Sequence, residues 1–63
     1  MKDLIGKFLV CDNRILDEER GLCVAYYYQG NTAFVIIKLN EQAVTHYKAS
    51  DIINVIVNPH TNH

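Results

Sequence analysis

The sequence predicts an all-β fold, and two observations carry that reading. Residues 24–28 (Val-Ala-Tyr-Tyr-Tyr) and 33–37 (Ala-Phe-Val-Ile-Ile) are runs of aromatic, β-branched and small apolar side chains, mostly types that fit a pleated, half-buried surface. Gly30 and Asn31 stand between the runs, and both residue types accept the positive φ that tight hairpin turns require. Together these features read as a β-hairpin.

The other elements are placed around that hairpin. A first strand is expected over residues 5–11, with Gly6 at its start and Phe8 and Val10 sharing a face. Residues 12–21 are polar, carry the consecutive acids Asp17, Glu18 and Glu19, and read as a long loop closed by Gly21. A helical turn over residues 13–19 is the alternative, too short to stand alone. The second strand spans residues 22–28 and the third residues 32–39. Turn-prone side chains over residues 38–43 then break the apolar run, which leaves residues 44–48 as the fourth strand. Residues 48–51 read as a single tight turn in which Ser50 or Asp51 can bond the next backbone amides. The fifth strand covers residues 52–57 and is ended by Pro59, which cannot donate to a ladder. One domain thus occupies residues 1–58, followed by a loose tail over 59–63.

This order of strand, long loop, strand, tight turn, strand, tight turn, strand, single turn, strand resembles the SH3-like small β-barrel. The residues that carry the resemblance are 6–10, 21–28, Gly30, 33–39 and 48–53, which together make up most of the chain. It implies a five-stranded SH3-like small barrel with a long first loop and a single tight turn before the last strand. The likeness is one of pattern rather than of a signature motif. The superfamily spans peptide binders, methyl-lysine readers, RNA-associated rings and ribosomal modules, so a shared fold transfers no function. An OB-like barrel is the structural rival, although a chain this short leaves little room for its usual extra helix.

Size and composition narrow the function classes. A chain of 63 residues buries only about 60% of the surface its unfolded form exposes. A core that small seldom supplies more than roughly 3–5 kcal/mol without a metal, a disulfide or a partner. Cys11 and Cys23 are too few and wrongly spaced for a paired C-x-x-C zinc site, and they read as small hydrophobes in strands. His60 and His63 would hold a metal only on a helix, which Pro59 and the chain end disfavour. No cofactor or metal is therefore expected. Lys7 interrupts the N-terminal apolar residues before they reach the length of a signal peptide or membrane span, so a cytoplasmic chain with reduced thiols is expected. Six basic residues against seven acidic ones give a net charge of −1, not the profile of a protein that grips phosphates by bulk electrostatics.

Catalytic constellations are not legible. Ser50, the sole serine, precedes Asp51 and Ile52 as a turn residue and lacks the flanking glycines of a nucleophile elbow. No spacing supports pairing Cys11 or Cys23 with His46, and a small barrel offers no deep cleft from which water is excluded. The chain reads as a non-enzyme without a small-molecule substrate.

Residues 26–28 are the most pointed feature. Successive strand residues face opposite sides, so Tyr27 is expected on the face away from Tyr26 and Tyr28. Residues 33–37 and 52–57 are likewise apolar on both faces, whereas a barrel has one interior. The second face calls for a cover, either another copy of the chain or a different protein. The favoured reading is a protein-interaction module that self-associates or binds a partner as adaptor, subunit or inhibitor, through Tyr27, Phe34, Ile36, Tyr47, Ile53 and Val55. The last strand is its leading edge for strand addition. Asp17, Glu18 and Glu19 are a candidate acidic contact. The alternative is a nucleic-acid-binding barrel in which Tyr27, Tyr28, Phe34 and Tyr47 stack bases and Lys7, Lys38 and Lys48 meet phosphates. A methyl-lysine cage built from Tyr26, Tyr28 and Tyr47 is weaker, because tryptophan is absent.

Overall fold

A computed structural model describes residues 1–56. Its strands are β1 (Phe8–Asn13), β2 (Asp17–Gln29), β3 (Thr32–Asn40), β4 (Ala43–Lys48) and β5 (Ile52–Ile56). All pairings are antiparallel, within one sheet of order β4-β3-β2-β1-β5. The all-β expectation therefore holds. The sheet is not closed by hydrogen bonds, since β4 and β5 form its two edges. A 3-10 turn over Lys2–Leu4 precedes β1, and a second over Ala49–Asp51 joins β4 to β5. The latter is the single turn expected there, but no side chain caps it.

The central hairpin has its turn where the sequence places it. Gln29 pairs with Thr32 across the two-residue connection. Gly30 takes φ +62° while Asn31 stays outside the positive-φ region, the pattern of a turn with glycine at its first central position.

The first connection differs from expectation. The long loop over residues 12–21 is replaced by a three-residue turn, Arg14 to Leu16, because β1 runs on to Asn13 and β2 begins at Asp17. The Asn13 side chain makes this turn: its Oδ1 accepts from the amides of Ile15 at 2.9 Å and Leu16 at 3.0 Å. Asp17 closes it in the left-handed region at φ +70°, which aspartate tolerates better than most side chains. The acids then fall into register, with Cys11 opposite Glu19, Asp12 opposite Glu18 and Asn13 opposite Asp17. Asp17 and Glu18 are exposed at the end of the hairpin, where the backbone is paired. β1 also starts at Phe8 rather than at residue 5, since the chain first turns through Gly6 at φ +89°.

β2 pairs with β1 from residue 17 to 22 and with β3 from residue 22 to 29, with a register break between Cys23 and Ala25. A bulge bends a strand, and the sheet curls accordingly. Asn13 Nδ2 of β1 donates to Tyr47 Oη of β4 at 2.6 Å, although β2 and β3 separate those strands in the sheet. The concave side holds the core of Leu9, Cys11, Cys23, Val35 and Ile37, each at most 1% exposed. Tyr26, Leu39, Tyr47, Ile52 and Val55 pack around it, and Met1 and Leu4 close it from the N-terminal turn.

Gly21 lies inside this curl, opposite Leu9 in the ladder. A Cβ at position 21 would stand 2.6 Å from the Lys38 carbonyl oxygen and 3.4 Å from Ile37 Cβ, so the backbones approach more closely than any side chain allows. Gly21→Ala is expected to cost about 1–3 kcal/mol, a large share of what so small a core supplies. Urea denaturation followed by circular dichroism measures it, and an unchanged midpoint would contradict the close approach.

Candidate functional site

Residues directly opposite in a ladder share a face, and the register therefore sorts the predicted contact residues. Tyr27 pairs with Phe34, Phe34 with Lys48, and Ile36 with both Ala25 and His46. These lie on the convex, outer side of the sheet. Tyr26 and Tyr28 lie on the concave side, with ring centroids 6.3 Å apart edge to face. The expected division of the three tyrosines is thus present.

Three of the six predicted contact residues, Tyr27, Phe34 and Ile36, come together on the outer face. Tyr27 and Phe34 stack with their rings 5.0 Å apart and 4° from parallel, a cross-strand aromatic pair of the kind that contributes roughly 0.2–1 kcal/mol. His46 packs against Tyr27 edge-on, and Tyr27 Oη lies 3.0 Å from His46 Nδ1. The hydroxyl donates when Nδ1 is unprotonated and accepts when Nδ1 carries the proton. A second cross-strand row joins this patch: Ile56, Phe8, Leu22, Lys38 and Val44 are successive ladder partners from β5 to β4. Phe8, Leu22 and Val44 are exposed there, although no pattern of their neighbours had singled them out in the sequence. Only the register places them side by side.

The other three contact residues go elsewhere. Tyr47 and Val55 face the core, while Ile53 is 58% exposed at the register break between β1 and β5. The acidic trio is split as well. Asp17 closes the turn and Glu18 pairs with Arg20. Glu19 turns inward, accepting from the Tyr47 hydroxyl and from Asn13 Nδ2. Among the phosphate candidates, Lys38 pairs with Glu41 at 3.6 Å, Lys48 is opposite Phe34, and Lys7 precedes β1. Tyr26 and Tyr28 meet, as a methyl-lysine cage would need, but the Tyr47 hydroxyl is engaged by Glu19 and Asn13.

The thiols lie away from the histidine. Cys11 and Cys23 are free and buried on the concave side, and His46 is on the convex one. Burial, reinforced by the negative field of Asp51, pushes the Cys11 thiol up to about 11. Burial raises Cys23 too, and burial together with the Glu19 carboxylate raises the Tyr47 hydroxyl. Among the described residues no group of three or more His, Cys, Asp or Glu side chains is placed to hold a metal ion. No described helix is long and apolar enough to cross a membrane. Val57, Pro59, His60 and His63, and with them the expected tail, lie outside the described residues.

Comparison with protein-family models, with curated proteins and with solved structures found no match.

The raised thiols set an alkaline limit on stability. A group whose folded pKa exceeds its unfolded value stabilises the fold below the unfolded pKa and ceases to do so as pH rises through the folded one. For Cys11 that window runs from 9.0 to about 11, and Cys23 and Tyr47 act in the same direction. The urea midpoint is expected to fall across this window, with both thiols silent to a disulfide reagent at pH 8 until the chain is unfolded. A midpoint that is level to pH 11, or a fast-reacting native thiol, would contradict the burial.

Proposed function

We propose that the chain is a non-enzymatic protein-interaction module, acting as an adaptor, a small subunit or an inhibitor of a partner protein, and that the outer face of its sheet is the contact surface. One observation carries the reading. The core cluster lies on the concave side and Val10 is buried on the convex one, yet the convex side also bears Ile56, Phe8 and Leu22 side by side, with Val44 beyond Lys38, next to the stacked Tyr27 and Phe34 and to Ile36. Apolar side chains contiguous across several strands mark a surface that another molecule covers, and aromatic groups with a charged rim match the composition of protein interfaces. Lys48 and His46 border the patch and supply such a rim, and Lys38 stands within it between Leu22 and Val44.

An SH3-like small barrel is the architecture we propose for this module. The strand order, the β1–β5 pairing and the 3-10 turn before β5 support it. The second reading, a nucleic-acid-binding barrel, draws on Lys48 standing opposite Phe34. The near-neutral charge and the Lys38–Glu41 pair weigh against it.

Capture from a lysate with two baits tests the proposal: the native chain and a Leu22→Thr/Val44→Thr variant, which removes apolar surface while placing strand-compatible β-branched side chains at both positions. A protein retained by the first and lost by the second, with circular dichroism unchanged, is expected. Equal retention by both baits would overturn the reading. Nuclease-sensitive material that is released steeply by salt would move the assignment to nucleic acid.

A further inference from the structure

An open cleft of about 400 Å³ lies between the Arg14–Leu16 turn and the Ala49–Asp51 turn, and four charged residues line it: Asp12, Arg14, Lys48 and Asp51. Among the described residues none of the four has an ion-pair partner. Among the described residues the pairs are the N-terminal ammonium with Asp3, Arg20 with Glu18, and Lys38 with Glu41. Two cations and two carboxylates thus surround one concavity without compensating one another. Ile15 also lines it and is 90% exposed, and Leu16 beside it is 61% exposed. The walls are held in place, since Asn13 ties the turn through Ile15 and Leu16 and also bonds the Tyr47 hydroxyl on the cleft wall.

The shape and charge of this site select its occupant. Sites for small molecules bury most of their ligand, whereas Asp12, Arg14, Ile15, Lys48 and Ser50 around this cleft are all exposed. An open, charged rim of this kind suits a macromolecular surface better than a small molecule. A patch with two charges of each sign does not repel its own copy, and a two-fold axis can set the cations of one copy against the carboxylates of the other. An axis through this end would bring the two Ile15 side chains together and remove from water the most exposed large apolar group of the described chain.

We propose that two copies of this chain associate through this end of the molecule. The Arg14–Leu16 turn of each copy is seated against the cleft of the other. Arg14 and Lys48 of one copy face Asp12 and Asp51 of the second, and Ile15 is enclosed at the axis. This surface is distinct from the convex sheet face, so the two assignments stand or fall separately.

Light scattering coupled to size exclusion, over a concentration series, reads the mass directly. The native chain is expected to pass from monomer to dimer as concentration rises. Arg14→Glu/Lys48→Glu leaves a wholly acidic patch and Asp12→Lys/Asp51→Lys a wholly basic one; each is expected to weaken self-association roughly tenfold or more. An equimolar mixture of the two variants is expected to restore the dimer. Ile15→Ser, at an exposed position that leaves folding intact, is expected to weaken it without changing any charge. A native chain that is monomeric at every concentration overturns the proposal. So does a dimer indifferent to the reversals and to Ile15→Ser, or a mixture that associates no better than its components.

Discussion

The close approach of β2 to β3 at Gly21 organises the rest of the molecule. β2 has to serve β1 along its first half and β3 along its second, and a straight strand doing both would give a flat sheet with no interior. The chain bends instead at the bulge between Cys23 and Ala25, and the missing side chain at Gly21 lets the Lys38 carbonyl close in beside it. From that bend follow the enclosure of Leu9, Cys11, Cys23, Val35 and Ile37 and the reach of Tyr47 across to Asn13 and Glu19. The burial of both cysteines follows from it as well.

The features visible in the sequence are those set by neighbouring residues. Gly30 specifies its turn through backbone freedom, the alternation at residues 26–28 specifies which tyrosines go inside, and the short turn at residues 49–51 is forced by two strands lying close together in sequence. The misread segment fails for a related reason. Asp17, Glu18 and Glu19 carry no apolar alternation, so the usual strand signal is missing, and pairing there is secured by the Asn13 side chain and by a left-handed Asp17. Of the candidate site, Tyr27, Phe34 and Ile36 were legible because each sits in an obvious strand. Phe8, Leu22 and Val44 were not, because their adjacency depends on a register spanning four strands. The Asn13–Glu19–Tyr47 cluster was equally hidden, since its members are 28 and 34 residues apart along the chain.

The two proposed surfaces rest on different kinds of excess. On the convex sheet face the excess is apolar area, which arises because one short chain curls around a single interior. At the end formed by the two turns the excess is uncompensated charge of both signs around one exposed aliphatic side chain. Apolar area sets how strongly a surface holds its partner, whereas charges set which partner and in what orientation.

Asn54 gives the remaining edge a different character. The β5 sequence Ile-Ile-Asn-Val-Ile is uncharged, β-prone and free of proline, the composition from which stacked fibrils nucleate. The Asn54 side chain accepts from the amide of Val55 at 2.8 Å. The register break between Val10 and Cys11 further disrupts the ladder on which such stacking would be templated. A polar residue in the middle of an otherwise aliphatic edge strand thus spends its side chain on its own backbone.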